Sequence, residues 1–319
     1  MKSLNEIYSA LWMGRRYEVW FVRMGLADGT GAWWVRYLLM NPGRGGCPDD
    51  QSGMPVQVWA TWFPRGGKPQ SFIQGFPVRS LELSARGQNP FYFHIDKNEI
   101  QESSCRGDLA VEGHKISWEL QYRSTFRVTL SNKGWIGFSR SPHSDASFSG
   151  RITLDGQSFE GDPLGFGVQG HNCGYRHRSF WIWTHAYFPR SGGRPPSTFE
   201  ALVYDMPMGL IFRKAVLWHD GEQRVFRNLR RSENGGDEFV WNFYGSGNNG
   251  FELEATVDGT GPSVHCLHYV RTDCSGRFEV VNNSRARANL RLRPKGRPVE
   301  LLETTTGAVL EMSGRPFRF

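Results

Sequence analysis

The chain has 319 residues, 39 % hydrophobic and 22 % charged, with 12 Trp, 22 Phe and 38 Gly. That length admits two ordinary domains or one large β domain, and the aromatic and glycine load suits sheets with tight turns rather than helical bundles. The net charge of +7 comes from mostly scattered basic residues, densest in "RVFRNLRRSENGG" at 224–236; no recognition motif accompanies them, so a nucleic-acid partner is not expected.

The first segment predicts a short helix. Ser3 and Glu6 form an S-x-x-E capping box, Leu4, Ile7, Tyr8, Leu11 and Trp12 recur at helical spacing, and Gly14 stands where a C-terminal glycine belongs. Such a helix would pack as a lid or plug on an apolar surface. The segment lacks the continuous apolar core of a signal peptide, and no later run is long enough to span a bilayer. The expected location is cytoplasmic, without stable membrane insertion. Cys47, Cys105, Cys173, Cys266 and Cys274 form no CxxC pair, and their odd number is a poor disulfide framework. Free thiols, and no glycan on Asn282 of "NNS", are therefore expected.

Beyond Gly14 the period falls to two. "YEVWFVRMGL" turns through "DGTG" into "AWWVRYLLM", and "VQVWATWF", "FIQGFPVRSLELS", "ISWELQYR", "FRVTLS" and "GRITLDGQSFEG" continue the pattern. The second half does the same from "FWIWTHAYF" through "TFEALVYDM", "EFVWNFYG", "FELEATVDG" and "RFEVVNN" to "VELLE". No helical pattern separates these strands, so the fold class is antiparallel all-β, as barrels or sandwiches. Pro and Gly in "EGDPLGFG" at 160–167 place a boundary between domains 1–164 and 165–319. Each half holds enough strands for a small barrel, and no internal sequence repeat is evident. Long, mobile loops are expected at 41–55 and 189–198.

The stretch "GFGVQGHNCGYRHRSFWIWTHAYF", 165–188, crowds histidines and amides against rings. Read as one strand, 180–188 puts Trp181, Trp183, His185 and Tyr187 on one face. Rings with polar tips can bury apolar ligand surface and offer a few hydrogen bonds, although such rings also fill barrels. On the next strand Glu200, Leu202, Tyr204 and Met206 share a face, and Asp205 points the other way. Asp205 is one acid candidate, because a carboxyl walled by rings has a raised pKa; a turn-proximal carboxylate before Pro207 is the plainer reading. Glu18 and Trp20 share a face of the first strand, a second acid beside a ring or one half of a salt bridge. His171 and Asn172, between Gly170 and Gly174, can supply side-chain donors.

Other chemistries find no support. His171, Cys173 and His177 lack a zinc spacing, and Arg176 and Arg178 would repel a cation; His265 and His268 of "HCLH" face opposite ways on a strand. No metal site is expected. There is no G-x-S-x-G elbow or P-loop, and "GFGVQG" lacks a surrounding βαβ unit. Cys173 near His171 has no orienting network for a thiol nucleophile.

Two segments, "YEVWFVRMGLADGTGAWWVRYLLMNP" and "GHNCGYRHRSFWIWTHAYF", together with the "VYD" strand, resemble the lipocalin-like carotenoid 1,2-hydratase (hydroxyneurosporene synthase), AttH-like and tocopherol cyclase superfamily. Fungal lipocalin-like Diels–Alderases are its distant members. The first segment is similar to the family's aromatic-Glu-x-Trp-aromatic strand and a hairpin ending in Asn-Pro. The second is similar to its (acidic or His)-Asn-Trp-Gly signature followed by Trp-x-Trp. The resemblance implies two calycin-type barrels with a hydrophobic ligand between or inside them, acting on polyprenyl-like substrates without a redox cofactor. It places His171 and Asn172 in the signature, Trp181 and Trp183 on the Trp-x-Trp, and Tyr204 and Asp205 in the region of acid chemistry. Cys173 stands where Trp is common, which reshapes one pocket wall and departs from carotenoid or tocopherol substrates.

The expectation is thus an all-β protein of two lipocalin-like antiparallel barrels with a short N-terminal helix. It binds a terpenoid-like or polyene-like molecule and, without a cofactor, hydrates, cyclises or isomerises it by acid catalysis. Asp205, Glu18 and His171 are the candidate catalytic residues, and Asn172, Trp181, Trp183, His185, Tyr204 and Trp20 the substrate-binding ones. The alternative is a carrier or stress-response binding protein, which needs the rings but no buried carboxyl within reach of ligand.

Overall fold

The computed structural model describes residues 3–314 except positions 10, 12, 48–49, 86–89, 134–135, 228, 232–238, 248–249 and 297. Within these residues regular structure is strand, with single 3-10 turns between. Part of the basic cluster at 224–236 lies outside the described residues.

The first sheet contains β1 (Tyr17–Leu26), β2 (Gly31–Met40), β3 (Val56–Pro64), β4 (Gln70–Phe76), β5 (Leu81–Leu83), β6 (Tyr92–Ile95), β7 (Asn98–Gln101), β8 (Ser104–Val111), β9 (His114–Arg123), β10 (Val128–Asn132), β11 (Gly137–Leu154) and β12 (Gln157–Gly174). It is a curled antiparallel half-barrel in the order β4-β3-β2-β1-β12-β11-β9-β8-β7-β6-β5, with β10 on β11.

The second sheet contains β13 (Trp181–Phe188), β14 (Ser197–Asp205), β15 (Ile211–His219), β16 (Glu222–Phe226), β17 (Arg230–Arg231), β18 (Val240–Ser246), β19 (Glu252–Asp258), β20 (His265–Val270), β21 (Arg277–Arg293) and β22 (Glu300–Ser313). Its order is β16-β15-β14-β13-β22-β21-β19-β18-β17, with β20 on β21. The two sheets follow one route: a four-stranded meander whose first strand pairs with the last strand of the sheet. The sequence shows no repeat, yet the topology is repeated.

Alternation fixes the faces. Along β9 every second residue is buried, with Ile116, Trp118, Leu120 and Tyr122 inward and polar or charged neighbours outward. The core of the first sheet gathers Trp20, Val22 and Met24 of β1 with Trp33, Val35 and Tyr37 of β2. The core of the second gathers Phe180, Ile182 and Phe188 with Phe199, Ala201 and Val203. Strands β1, β2 and β14 are almost wholly buried on both faces, and Glu18, Arg23, Arg36 and Glu200 within them are buried too. Two-residue hairpins at Asp155-Gly156 and Asp220-Gly221 place both residues at positive φ, where a type I′ turn matches the strand twist and glycine meets no Cβ penalty.

The chain divides into two compact units. One comprises Met1–Trp62, Gln70–His177 and Tyr269–Phe278, the other Phe63–Pro69, Arg178–His268 and Glu279–Phe319. The expected boundary at 164/165 falls inside β12, because the Pro-Gly interruption is absorbed by a strand that runs on to Gly174.

Three expectations are corrected. The described residues of the first segment form no helix. The Ser3 hydroxyl accepts from Asn5 N at 3.0 Å and donates to Glu102 at 2.5 Å, but no helix follows, and the backbone N–H groups of Tyr8 and Ser9 are taken by Glu18. Trp12 lies outside the described residues. Ile7 does enter the core, so the segment plugs the first unit as an extended strap. Secondly, Cys47 and Cys274 form a disulfide across a sequence separation of 227. Thirdly, the 41–55 loop is tied down. Asn41 is fully buried, accepts from Arg16 N at 2.9 Å and donates to Thr272 O at 2.8 Å.

Candidate functional site

The register of β1 against β12 sets Trp20 opposite His171 and Glu18 opposite Cys173. Glu18 and His171 are therefore diagonal neighbours on one face, within reach of long side chains. Both are fully buried, with His171 Nε2 and Glu18 Oε1 2.8 Å apart. Glu18 also accepts from Tyr8 N at 2.8 Å and Ser9 N at 2.5 Å. The far nitrogen of the ring, His171 Nδ1, donates to the Leu4 carbonyl at 2.7 Å. A carbonyl only accepts, so Nδ1 is the donor there, and the Nε2···Oε1 contact ties the ring to the carboxyl.

Rings surround it. Trp20 stacks on His171 at 4.7 Å, and Phe138 meets the imidazole edge-on at 4.8 Å. Phe91 stacks on the other part of the Trp20 environment at 5.2 Å. Trp20 Nε1 donates to Asn5 O at 3.1 Å, and the Asn5 and Gln169 amides pair reciprocally at 3.1 and 2.9 Å. The buried Asn5 and Gln169 amides thus satisfy each other, as burial requires.

Cys173 lies on the same face, where Arg16 Nη1 donates to its sulfur at 3.4 Å. Burial, aided by the Glu18 charge, pushes its thiol well above the usual range. It stays protonated and is no nucleophile. Arg140 stands over the Phe138 ring at 3.9 Å. Burial lowers its guanidinium, opposed by the nearby carboxyls of Glu6 and Glu18. The strap also walls an open recess of about 580 Å³ with Ile7, Tyr8 and Ser9 on one side and Leu81, Leu83 and Tyr92 on the other. Tyr8 and Ser9 thus line the recess and hold Glu18 through their backbone.

Of the sequence-predicted residues, Glu18, His171 and Trp20 come together here. Asn172 does not join them, since alternation turns it to the other face of β12. Trp181, Trp183, His185, Tyr204 and Asp205 belong to the second unit. Trp181 and Trp183 lie on the β13 face turned away from that unit's apolar core, which takes Phe180, Ile182 and Phe188 instead. Trp181 Nε1 donates to Glu311 at 3.0 Å and Trp183 Nε1 to Glu200 at 3.2 Å. His185 is fully buried, and Tyr204 stacks on Phe212 at 4.7 Å. Asn282 donates to Glu311 at 3.4 Å; its burial keeps the sequon from solvent.

Asp205 is not walled by rings. It ends β14 and accepts from Ser179 Oγ at 2.6 Å and Phe180 N at 3.0 Å, closing the approach to β13. Sequence reasoning missed Asn5, Gln169, Glu311 and the strap backbone. It noted Glu200 only as a face residue, although a lone carboxylate within "STFEALVYD" was the available signal.

No protein-family model and no curated protein sequence matches the chain. Solved structures do. Kievitone hydratase from Nectria haematococca aligns with a TM-score of 0.55 at 11 % identity, over 99 % of this chain and 96 % of its own. CghA with Sch210972 aligns at 0.60 and 12 %, over 94 % and 89 %. An AttH-like protein from Nitrosomonas europaea aligns at 0.52 and 12 %, over 95 % and 93 %. At these identities the likeness speaks for the fold. The chain shares an all-β lipocalin-like fold with these neighbours.

Proposed function

We propose that this protein is a cofactor-independent enzyme of lyase or isomerase type that acts on a hydrophobic small molecule, of terpenoid or polyene character, by proton transfer. The observation that carries the reading is the Glu18–His171 pair, 2.8 Å apart and buried under rings, behind the strap residues Tyr8 and Ser9 that wall a recess of mixed apolar and polar lining. A dry acid beside ring faces is what protonation of an unactivated alkene requires. The pair delivers its proton to one alkene carbon, and the cation that forms is stabilised by Trp20, Phe91 or Phe138 through cation–π attraction of about 0.5–2 kcal/mol. Water or a hydroxyl of the substrate adds to the cation and returns a proton to the pair, so hydration or cyclisation leaves the enzyme unchanged. The name of one fold neighbour, kievitone hydratase, is in keeping with this chemistry.

The Cys47–Cys274 disulfide favours an oxidising compartment over the cytoplasm expected from the sequence.

The test is native mass spectrometry with lipid extraction on protein purified from its own host, for wild type, Glu18→Gln and Asp205→Asn. A product released by wild type and by Asp205→Asn, with Glu18→Gln retaining the unconverted species, supports the assignment. Loss of conversion in Asp205→Asn alone moves the acid to the second unit. The same unaltered ligand on all three makes the protein a carrier.

A further inference from the structure

We infer that Cys266, His268 and Glu279 form a surface site for a divalent cation of the zinc class. The buried Leu267 and Tyr269 fix the alternation of β20, so Cys266 and His268, two residues apart, both project to solvent. Strand β20 hydrogen-bonds to β21. There the buried Val280 turns Glu279 outward to the same place. One ligand atom from each of the three lies within 4.8 Å of the others. The spacing that matters is therefore Cys-x-His on one strand plus a carboxylate from its neighbour, not the His265 and His268 of "HCLH".

The donors converge without satisfying one another. His268 Nε2 stands 3.8 Å from Glu279 Oε1, beyond hydrogen-bond range. Two ligands held tetrahedrally at zinc distances stand about 3.4 Å apart, so a small side-chain rotation closes the set. Cys266 is a free, exposed thiol. A thiolate, an imidazole and a carboxylate together suit zinc and select against magnesium and calcium, which prefer all-oxygen ligands. Their two negative charges match a divalent ion, and a fourth position stays open to solvent. Arg277, two residues before Glu279, is engaged by Asp50.

The other cluster of potential ligands, His219, Asp220 and Glu300, is already closed. His219 bonds Ser197 Oγ and Glu300 at 2.8 Å each, and Arg190 pairs with Asp220.

Titration of the full-length protein with Co²⁺, followed in the near ultraviolet, reads the thiolate directly through its charge-transfer band. Saturation at one equivalent is expected, with the band abolished in Cys266→Ser and binding weakened about tenfold or more in His268→Ala and Glu279→Ala. Zn²⁺ should protect Cys266 from alkylation in the folded protein, where Cys105 and Cys173 are buried. Absence of saturable binding at micromolar metal would overturn the site. So would a band that survives Cys266→Ser, or binding indifferent to both His268→Ala and Glu279→Ala.

Discussion

Glu18 and His171 stand 153 residues apart in sequence and 2.8 Å apart in space, joined across the β1–β12 ladder with neither side chain reaching solvent. The three groups outside the pair that bond its polar atoms, the Tyr8 and Ser9 N–H groups and the Leu4 carbonyl, all come from the strap. Chemistry and strap are therefore coupled, and the following outcomes test that coupling.

Glu18→Gln keeps the shape of the side chain and removes the acid. Turnover of the native substrate is expected to fall by about 10²–10⁴-fold, while circular dichroism stays that of wild type. Glu18→Ala goes further. It strands the His171 ring and the Tyr8 and Ser9 N–H groups in a buried site, at about 3–5 kcal/mol in urea unfolding. A loss below about 1 kcal/mol would mean that water replaces the carboxylate, and the site would not be dry.

The strap is held by the Asn5–Gln169 amide pair as well as by Glu18. A double-mutant cycle on Asn5→Ala and Gln169→Ala should return a coupling of about 0.5–3 kcal/mol. Hydrogen exchange at Tyr8 and Ser9 should accelerate in both single variants. Independent, additive effects would show that the strap is secured elsewhere.

His177 stacks on Tyr17 with ring centroids 4.2 Å apart. Burial first, and then the charges of Arg36 and Arg271, push its imidazole down to about 3. The unfolded chain, with a histidine near its ordinary value of about 6.5, binds more protons than the folded one between these values. Stability from this group is thus complete above about pH 6.5 and is lost as the pH falls toward 3. His143 and His265 are shifted down by burial too and act in the same direction. His177→Phe keeps a ring against Tyr17 and should flatten the fall in unfolding free energy over that window. An unchanged slope would place the acid sensitivity on the other two.

The Cys47–Cys274 bond closes a loop of 227 residues. Loop-closure entropy makes it worth up to about 5 kcal/mol, so reduction or Cys47→Ser with Cys274→Ser should lower the melting temperature clearly. Without reductant, the thiols open to alkylation in the folded state should be limited to Cys266. Burial pushes Cys105 up to about 12 and Cys173 higher still. After unfolding without reductant an intact bond leaves three thiols to label, so labelling of four or more would mean that the bond does not form.

Local pattern carried much of the fold. Period-two alternation with turn residues at regular spacing announces β1, β2, β9, β13 and β14, because side-chain direction in a strand is set by neighbours in sequence. The same rule put Glu18 beside Trp20 and separated Asp205 from Tyr204. It failed for the strap. Leu4, Ile7 and Tyr8 do recur at helical spacing, but a short isolated helix is marginal, and buried partners for its backbone at Glu18 and His171 offered a better alternative.

By itself, the sequence determined an all-β chain, the faces of its strands, its hairpin turns and the supply of acids, imidazoles and rings. Tertiary structure decided which of them meet. It chose His171 as the partner of Glu18, made Asp205 a turn-closing carboxylate, joined Cys47 to Cys274, and brought Glu279 to Cys266 and His268. The reason is range: alternation is written in adjacent residues, whereas partners depend on which strands a sheet sets side by side, and β1 finds β12 only when the whole first sheet has formed.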